Sequence, residues 1–135
     1  LAVVPMEHRL ASLPRFPIKE VENEPFISLL ETSDHDARRA LEAAGVKPNI
    51  RYTTKDDYAI IAMVEQGLGV SIMPELLLSG RSDNVRVMEL TPPASRTIGL
   101  CLPDADRAGP ATARFAQCVS DWVRERYSRI QNTTS

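Results

Sequence analysis

Short apolar runs that alternate like β-strands recur along the chain and are separated by segments with helical spacing. The spacing predicts helices over residues 34–44, 55–66 and 110–127. Strands are predicted at residues 1–5, 25–31, 49–54, 69–73, 84–90 and 96–103. Strands that alternate with helices favour an α/β fold in which a mostly parallel sheet is flanked by helices on both faces.

Capping residues support the ends of the predicted helices. Ser33 is a suitable N-cap for the first helix, and Gly45 follows its last turn. Thr54 and Asp57 have the spacing of a capping box, which predicts where the second helix begins. Pro110 fits the first turn of the third helix.

Two stretches predict irregular structure. Residues 6–24 contain Pro14 and Pro17, which interrupt any helix, so a loop is expected there. The polar residues 128–135 predict a frayed tail.

Gly67 and Gly69 form a Gly-x-Gly motif that either cradles a phosphate or only turns the chain. A phosphate loop follows a strand and opens a helix, whereas here a helical segment precedes the motif and a strand follows it. The end of a helix carries the negative pole of its dipole and repels phosphate. The motif therefore predicts a helix end that leads into a central strand.

The charge balance argues against nucleic acid as a partner of this chain alone. Its 135 residues contain 16 Lys and Arg and 18 Asp and Glu, a net charge of -2, so there is no general basic field. The apolar run at residues 59–64 is far shorter than the roughly 18 residues of a membrane span. Leu1 is not an initiator Met and no secretory signal follows it, so we expect a piece of a longer cytoplasmic protein.

The sequence contains no set of residues that predicts a metal site. Cys101 and Cys118 have no CxxC partner and are expected to be buried, reduced thiols. His8 and His35 lie in different predicted elements without carboxylates at ligand spacing, so both are interpreted as surface residues.

A catalytic centre is not predicted either. Asp56 and Asp57 resemble an acid–base pair, but the first turn of a helix accounts for both carboxylates. Ser71 lacks the Gly-x-Ser-x-Gly setting of an esterase. We therefore expect no enzyme and no cofactor.

The stretch MVEQGLGVSIMPELL, residues 63–77, resembles a characteristic segment of LysR-type transcriptional regulators. AVVPMEHRLA is similar to the family's strand followed by His-Pro-Leu-Ala, although Arg9 stands where proline is usual. NEPFISLLE and LEAAGVKPNIRYTT also resemble family segments. Residues 1–127 thus resemble the second half of the effector-binding domain, which has the fold of a type II periplasmic binding protein.

The resemblance implies a division of the chain. Residues 1–95 would form most of the second effector-binding subdomain, and residues 96–127 would return to the first subdomain as a strand and a helix. It also implies a DNA-binding helix-turn-helix before Leu1. A small metabolite would bind between the lobes and alter how a homodimer binds DNA.

Two loops at the carboxyl ends of predicted strands are expected to face the effector, because helix N-termini there present N–H groups. The expected contacts are Thr32, Ser33, Thr53, Thr54, Lys55 and Met73. Lys55 favours an anionic effector, although a solvated lysine is the alternative. For Ser33 and Thr54, helix capping alone is the alternative to effector contact, with equal support.

Two other functions remain open from the sequence. A solute-binding protein of a transport system would share the fold, and an enzyme on the same scaffold is the third choice. The sequence that precedes Leu1 would separate them, since a helix-turn-helix indicates a regulator and a signal peptide indicates transport.

The last predicted helix has an apolar stripe, which consists of Phe115, Val119, Trp122 and Val123. If no other part of the chain covers this stripe, we expect two copies of the chain to pair through it.

Overall fold

The computed structural model describes residues 1–30, 35–79, 84–102 and 109–131; the side chains of residues 35 and 128–131 are not part of this description. The chain divides into two compact units, Leu1–Arg96 and Thr97–Ser135. Each unit is described by itself. Thr32 and Ser33 lie outside the described residues.

The first unit contains the strands and short helices. The strands are β1 (Ala2–Pro5), β2 (Phe16–Pro17), β3 (Pro25–Leu29), β4 (Asn49–Thr54), β5 (Ser71–Ile72), β6 (Val85–Met88) and β7 (Leu90–Thr91). The helices are α1 (His35–Ala43), α2 (Asp57–Glu65) and α3 (Glu75–Leu78), with a 3-10 helix at Ile18–Glu22. The second unit contains α4 (Pro110–Gln131).

The strand pairing is mixed. β1 lies between β5 and β6 and is antiparallel to both, while β3 and β4 are parallel. A single parallel bridge between Phe26 and Val70 places β3 beside β5. The strands therefore follow the order β4–β3–β5–β1–β6, with β1 alone reversed. The prediction of a mostly parallel sheet is corrected by β1, whose alternating residues carry no information about its direction.

Residues 6–24 are more regular than a loop. Phe16 and Pro17 of β2 pair in parallel with Leu90 and Thr91 of β7, and the 3-10 helix follows directly. Pro17 lies at the N-cap of that helix, where proline lacks only a donor that the helix leaves unused. The prolines thus limit this segment to short elements without preventing them.

The sheet has a hydrophobic core on each face, because successive residues of a strand point to opposite sides. Val3 and Ile27 pack with the α2 residues Ile60, Ile61 and Val64 on one face. Ala2, Val4 and Phe26 pack on the other face against α1 and the 3-10 helix. The predicted covering of the sheet by helices on both faces is confirmed for this unit.

Gly67 and Gly69 have separate structural tasks. Gly67 has a φ of 72° just after α2, where a left-handed residue ends the helix, and the N–H of Leu68 reaches back to the Met63 carbonyl at 3.1 Å. A Cβ on Gly69 would come within 3.0 Å of the Pro25 carbonyl carbon and closer still to its oxygen. The predicted transition from helix to strand is confirmed, and Gly69 allows β3 and β5 to approach each other.

Arg9 binds two carboxylates. Its Nε donates to Glu24 at 2.8 Å, and one terminal nitrogen donates to Glu20 at 2.6 Å. The Arg9 hydrogen bond holds the pKa of Glu20 below its ordinary value of 4.5. These bonds connect the turn after β1 to the segment that leads into β3.

His8 takes part in the same cluster. Its Nε2 lies 3.3 Å from a Glu24 oxygen, and its Nδ1 accepts the Leu10 N–H at 3.3 Å. Since Nδ1 accepts, a proton on Nε2 satisfies both contacts with a neutral ring. The prediction of a surface histidine is wrong for His8, whose side chain is only 11% exposed. The side chain of His35 lies outside the described part.

The second unit differs from its predicted form at two places. Thr97–Leu102 adopt no strand and pair with none of the described strands, and a strand forms only where its backbone groups are paired. Helix α4 extends to Gln131, four residues beyond its predicted end at residue 127. The remainder of that tail lies outside the described residues.

Side chains of the second unit are largely exposed. Cys101 and Cys118 are free and exposed, so the prediction of buried thiols is wrong. Phe115 and Trp122 are 60% and 54% exposed. Trp122 contacts the Tyr127 ring edge-on at a centroid distance of 6.4 Å. Within the described part of the chain, no helix has the length and apolarity needed to cross a membrane.

We predict that Gly69→Ala lowers the free energy of unfolding by about 1 to 3 kcal/mol, because the new Cβ must displace the Pro25 carbonyl. Gly67→Ala should cost about 1 kcal/mol, since it only forces alanine into the left-handed region. Urea unfolding measures both changes. Gly99→Ala is the control, because a Cβ there meets no atom within 4 Å. Equal stability of Gly69→Ala and this control would contradict the close approach.

Candidate functional site

The order in which successive strands are placed across the sheet reverses at β3. The connection through α1 leads from β3 outward to β4, and the connection through α2 leads back past β3 to β5. In open α/β sheets such a switch point leaves a crevice at the carboxyl ends of the strands, where ligands commonly bind. The carboxyl ends of β3, β4 and β5 therefore define the candidate site.

The pairing between β3 and β5 ends at Ile27, two residues before the carboxyl end of β3. Val70 donates to the Pro25 carbonyl and accepts the Ile27 N–H, each at 2.9 Å, and the parallel pairing goes no further in the described residues. The Ser71 hydroxyl then donates to the Ile27 carbonyl at 2.8 Å. Ser71 is 2% exposed, so this bond lies inside the protein.

The loop after β4 provides hydroxyl groups and a cation. Thr53 and Lys55 are exposed, whereas Thr54 is half-buried. The Thr54 carbonyl accepts the Leu30 N–H at 2.7 Å, which fixes this loop to the end of β3. The structure thus brings three predicted site residues to the edge next to β3.

The predicted capping box at Thr54 is not formed. The N-cap of α2 is Asp56, whose carboxylate accepts the Tyr58 N–H at 2.9 Å, and the helix begins at Asp57. The Thr54 hydroxyl accepts the Asp56 N–H at 3.2 Å instead. Thr54 therefore supports the cap without being the cap, because an aspartate two residues later is an equally good N-cap.

Met73 lies at the end of β5 but is not open to solvent. Its side chain is 2% exposed and belongs to the core beneath α2. Its backbone N–H donates to the Leu1 carbonyl at 2.9 Å, and its carbonyl accepts from the Leu1 nitrogen at 3.0 Å. The Met73 side chain therefore lies in the core below this edge, and its backbone groups are already in use.

The edge combines apolar surface with a mixed charge. Leu30, Tyr58 and Leu76 follow β3, β4 and β5 respectively, and all three are exposed. Asp36, in the first turn of α1, is paired with Arg96, the last residue of the first unit. Lys55 therefore carries an exposed positive charge beside apolar side chains and threonine hydroxyls, which suits a small molecule with an anionic group.

Sequence reasoning places Ser71 in the central strand and Asp56 in the first turn of α2, but it misses the bond from the Ser71 hydroxyl to Ile27 and the N-cap role of Asp56. Among the described residues, no group of three or more His, Cys, Asp or Glu side chains is arranged to hold a metal ion.

Comparison with known families decides the class of protein. The model of the LysR substrate binding domain matches residues 1–124. The chain belongs to the LysR substrate-binding domain family. Members are parts of transcriptional regulators and not enzymes, so the resemblance inferred from the sequence and the prediction of no enzyme are both confirmed.

Relatives of this LysR domain are longer proteins. The HTH-type transcriptional regulator YybE of Bacillus subtilis, which is uncharacterized, is 28% identical over 118 residues. That match covers 86% of this chain but 40% of YybE. YwbI, an uncharacterized regulator of the same type and species, is 33% identical over 96 residues, 69% of this chain and 32% of its own. This LysR domain therefore spans less than half the length of these relatives.

Solved structures agree on a mixed α/β fold. The regulatory domain of CcmR from Synechocystis PCC6803, in complex with 2-PG, has a TM-score of 0.65 and 16% identity over 87% of this chain and 59% of its own. The effector binding domain of QuiR with shikimate has a TM-score of 0.59 and 23% identity over 70% and 46%. HinK, a LysR family regulator of Pseudomonas aeruginosa, has a TM-score of 0.57 and 26% identity over 71% and 34%.

We predict that Asp56→Ala lowers the free energy of unfolding by about 1 kcal/mol, because α2 loses its N-cap. Thr54→Val should cost less, since the exposed Asp56 N–H can bond to water instead. Thermal and urea unfolding of both variants separate the two roles. A larger loss in Thr54→Val than in Asp56→Ala would restore Thr54 as the cap.

Proposed function

We propose that this LysR domain senses a small anionic metabolite and passes the signal to a DNA-bound dimer. In this proposal residues 1–95 are most of one lobe of a type II periplasmic-binding-protein-like domain, and residues 96–127 belong to the other lobe. The effector binds in the cleft between the lobes. DNA contact is made by a helix-turn-helix elsewhere in the regulator, as expected for a cytoplasmic transcription factor.

The observation that carries the proposal is the meeting of three strand ends at the switch point of the sheet. Lys55 and Thr53 are exposed there, and the bond between Thr54 and Leu30 holds their loop against β3. Thr32 and Ser33 belong to the proposed site through their sequence position after β3. Met73 contributes its buried side chain as the floor.

The ligands of related domains support this choice of effector. QuiR was solved with shikimate and CcmR with 2-PG, and both ligands are anions at neutral pH. An exposed ammonium group beside hydroxyl donors suits a carboxylate or phosphate, because hydrogen bonds to ionised groups are stronger than neutral ones. The family membership argues for the regulator and against a transport protein with the same fold.

We predict that the intact regulator binds one member of a panel of small carboxylates and phosphates, and that Lys55→Gln weakens this binding about tenfold, or about 1.4 kcal/mol. Thermal shift with shikimate, 2-phosphoglycolate and similar anions identifies the binder, and calorimetry gives its affinity. Lys47→Gln removes the same charge from an exposed lysine at the amino end of β4 and is the matched control.

Equal losses of affinity in Lys55→Gln and Lys47→Gln would mean that Lys55 acts only through its long-range charge.

Thr54→Val should weaken the effector response of the regulator while its DNA affinity is retained. An unchanged response would remove Thr54 from the site.

This 135-residue chain should bind the same anion more weakly than the whole effector-binding domain, because a cleft ligand takes contacts from both lobes.

We also propose that two copies of this chain pair through α4. Burial of each large apolar side chain of the stripe contributes roughly 1.5 to 3 kcal/mol, and Phe115, Trp122 and Val123 are exposed within one chain. Light scattering after size exclusion should show a dimer, and Trp122 fluorescence should shift red on dilution. A monomer at all concentrations would contradict this pairing.

A further inference from the structure

Ser71 is a buried polar side chain in the core of the first unit, and the sheet does not need its hydroxyl for ordinary strand pairing. Its backbone lies in the β1–β5 ladder opposite Val3. Its hydroxyl crosses in the other direction and donates to the Ile27 carbonyl of β3 at 2.8 Å. A single residue therefore joins β5 to both of its neighbours, to β1 through its backbone and to β3 through its hydroxyl.

The position of this bond is where β3 and β5 separate. Ile27 uses its N–H for Val70, which is the last backbone contact of the parallel bridge. In a continued parallel ladder the Ile27 carbonyl would accept the next backbone N–H of β5. Here the Ser71 hydroxyl donates to the Ile27 carbonyl in place of that N–H. The side chain therefore keeps β3 and β5 farther apart than a backbone bond would, and the buried carbonyl still has a donor.

The loops that follow these strands form two sides of the proposed effector site. β3 leads to the bond between Leu30 and Thr54, and β5 leads to Met73 and α3. The distance between the strand ends therefore sets the width of the crevice. A backbone bond in place of the hydroxyl would draw these ends together.

We propose that Ser71 is a positioning residue for the effector site. Its hydroxyl fixes the separation of β3 and β5 and thereby holds the loop Thr53–Lys55 and the end of β5 at Met73 in their ligand-binding positions. This inference rests on the proposed function. Ser71 does not contact the effector, because it is buried beneath the edge.

The first test does not require an effector. Hydrogen exchange of the 135-residue chain is compared between wild type, Ser71→Ala and Ser71→Thr. In Ser71→Ala the amides of Ile27, Leu30 and Met73 should exchange at least tenfold faster, because the Ile27 carbonyl loses its donor and the strand ends loosen. The Phe16 amide, which bonds to Glu89 at 2.7 Å on the β2–β7 pair, should keep its rate. Ser71→Thr retains the hydroxyl and should restore the edge amides.

The second test measures affinity in the intact regulator, with shikimate and 2-phosphoglycolate as probes. Ser71→Ala should weaken binding of a recognised probe at least fivefold at a temperature far below unfolding, and Ser71→Thr should recover it. Ile61→Val removes a buried methyl from the same core and controls for lost stability. Ser79→Ala removes a hydroxyl that bonds only within α3, to Glu75 at 3.1 Å, and controls for the loss of a serine.

Each outcome decides the proposal. Uniformly faster exchange in Ser71→Ala, or unchanged exchange at the three edge amides, would overturn it. Equal affinity losses in Ser71→Ala and Ile61→Val would also overturn it, since Ser71 would then act through stability alone. If wild type binds neither probe, the choice of effector class fails, and the exchange pattern alone decides the role of Ser71.

Discussion

The backbone bonds of Val70 with Pro25 and Ile27 hold the first unit together. Without them the β3–β4 pair would have no backbone hydrogen bond to the sheet around β1 among the described strands. The close approach at Gly69 is the geometric condition for these bonds, because any side chain there would meet the Pro25 carbonyl. The two cores, the order of the strands and the meeting of three strand ends all depend on this one bridge. A motif that first suggested a phosphate loop is therefore the place where the sheet is joined.

Much of this fold could be predicted from local pattern. Helices α1 and α2, the strand β4 and the left-handed Gly45 and Gly67 follow from periodicity and capping chemistry, which depend on near neighbours in the chain. The direction of β1 could not be predicted, since alternation is the same in parallel and antiparallel strands. The strand expected at residues 96–103 failed for a related reason: a strand requires a partner, and periodicity does not show whether one is present.

The candidate site was only partly accessible to sequence reasoning. The approximate location of the Thr53–Lys55 loop followed from the family resemblance and from the tendency of ligands to gather at strand ends. The sequence did not predict that Asp56 is the N-cap of α2 and that Thr54 supports it. Two good N-cap residues lie within three positions, and the folded geometry selects between them. Burial of Met73 and the crossing bond of Ser71 depend on long-range packing, which no local pattern records.

The reversed strand β1 has a consequence for how this unit reaches its native state. Ala2 pairs with Ile72 on one side and with Met88 on the other, so the middle of the sheet joins residues about seventy and more than eighty positions apart. Contacts of such long sequence separation require closure of a large loop before they add stability, and chains rich in them fold slowly. During synthesis the apolar β1 leaves the ribosome before β5 and β6 and can be enclosed only after β6 has followed. Until then its residues remain available to other unfolded chains, and β1 is protected only after both of its partner strands have been synthesised.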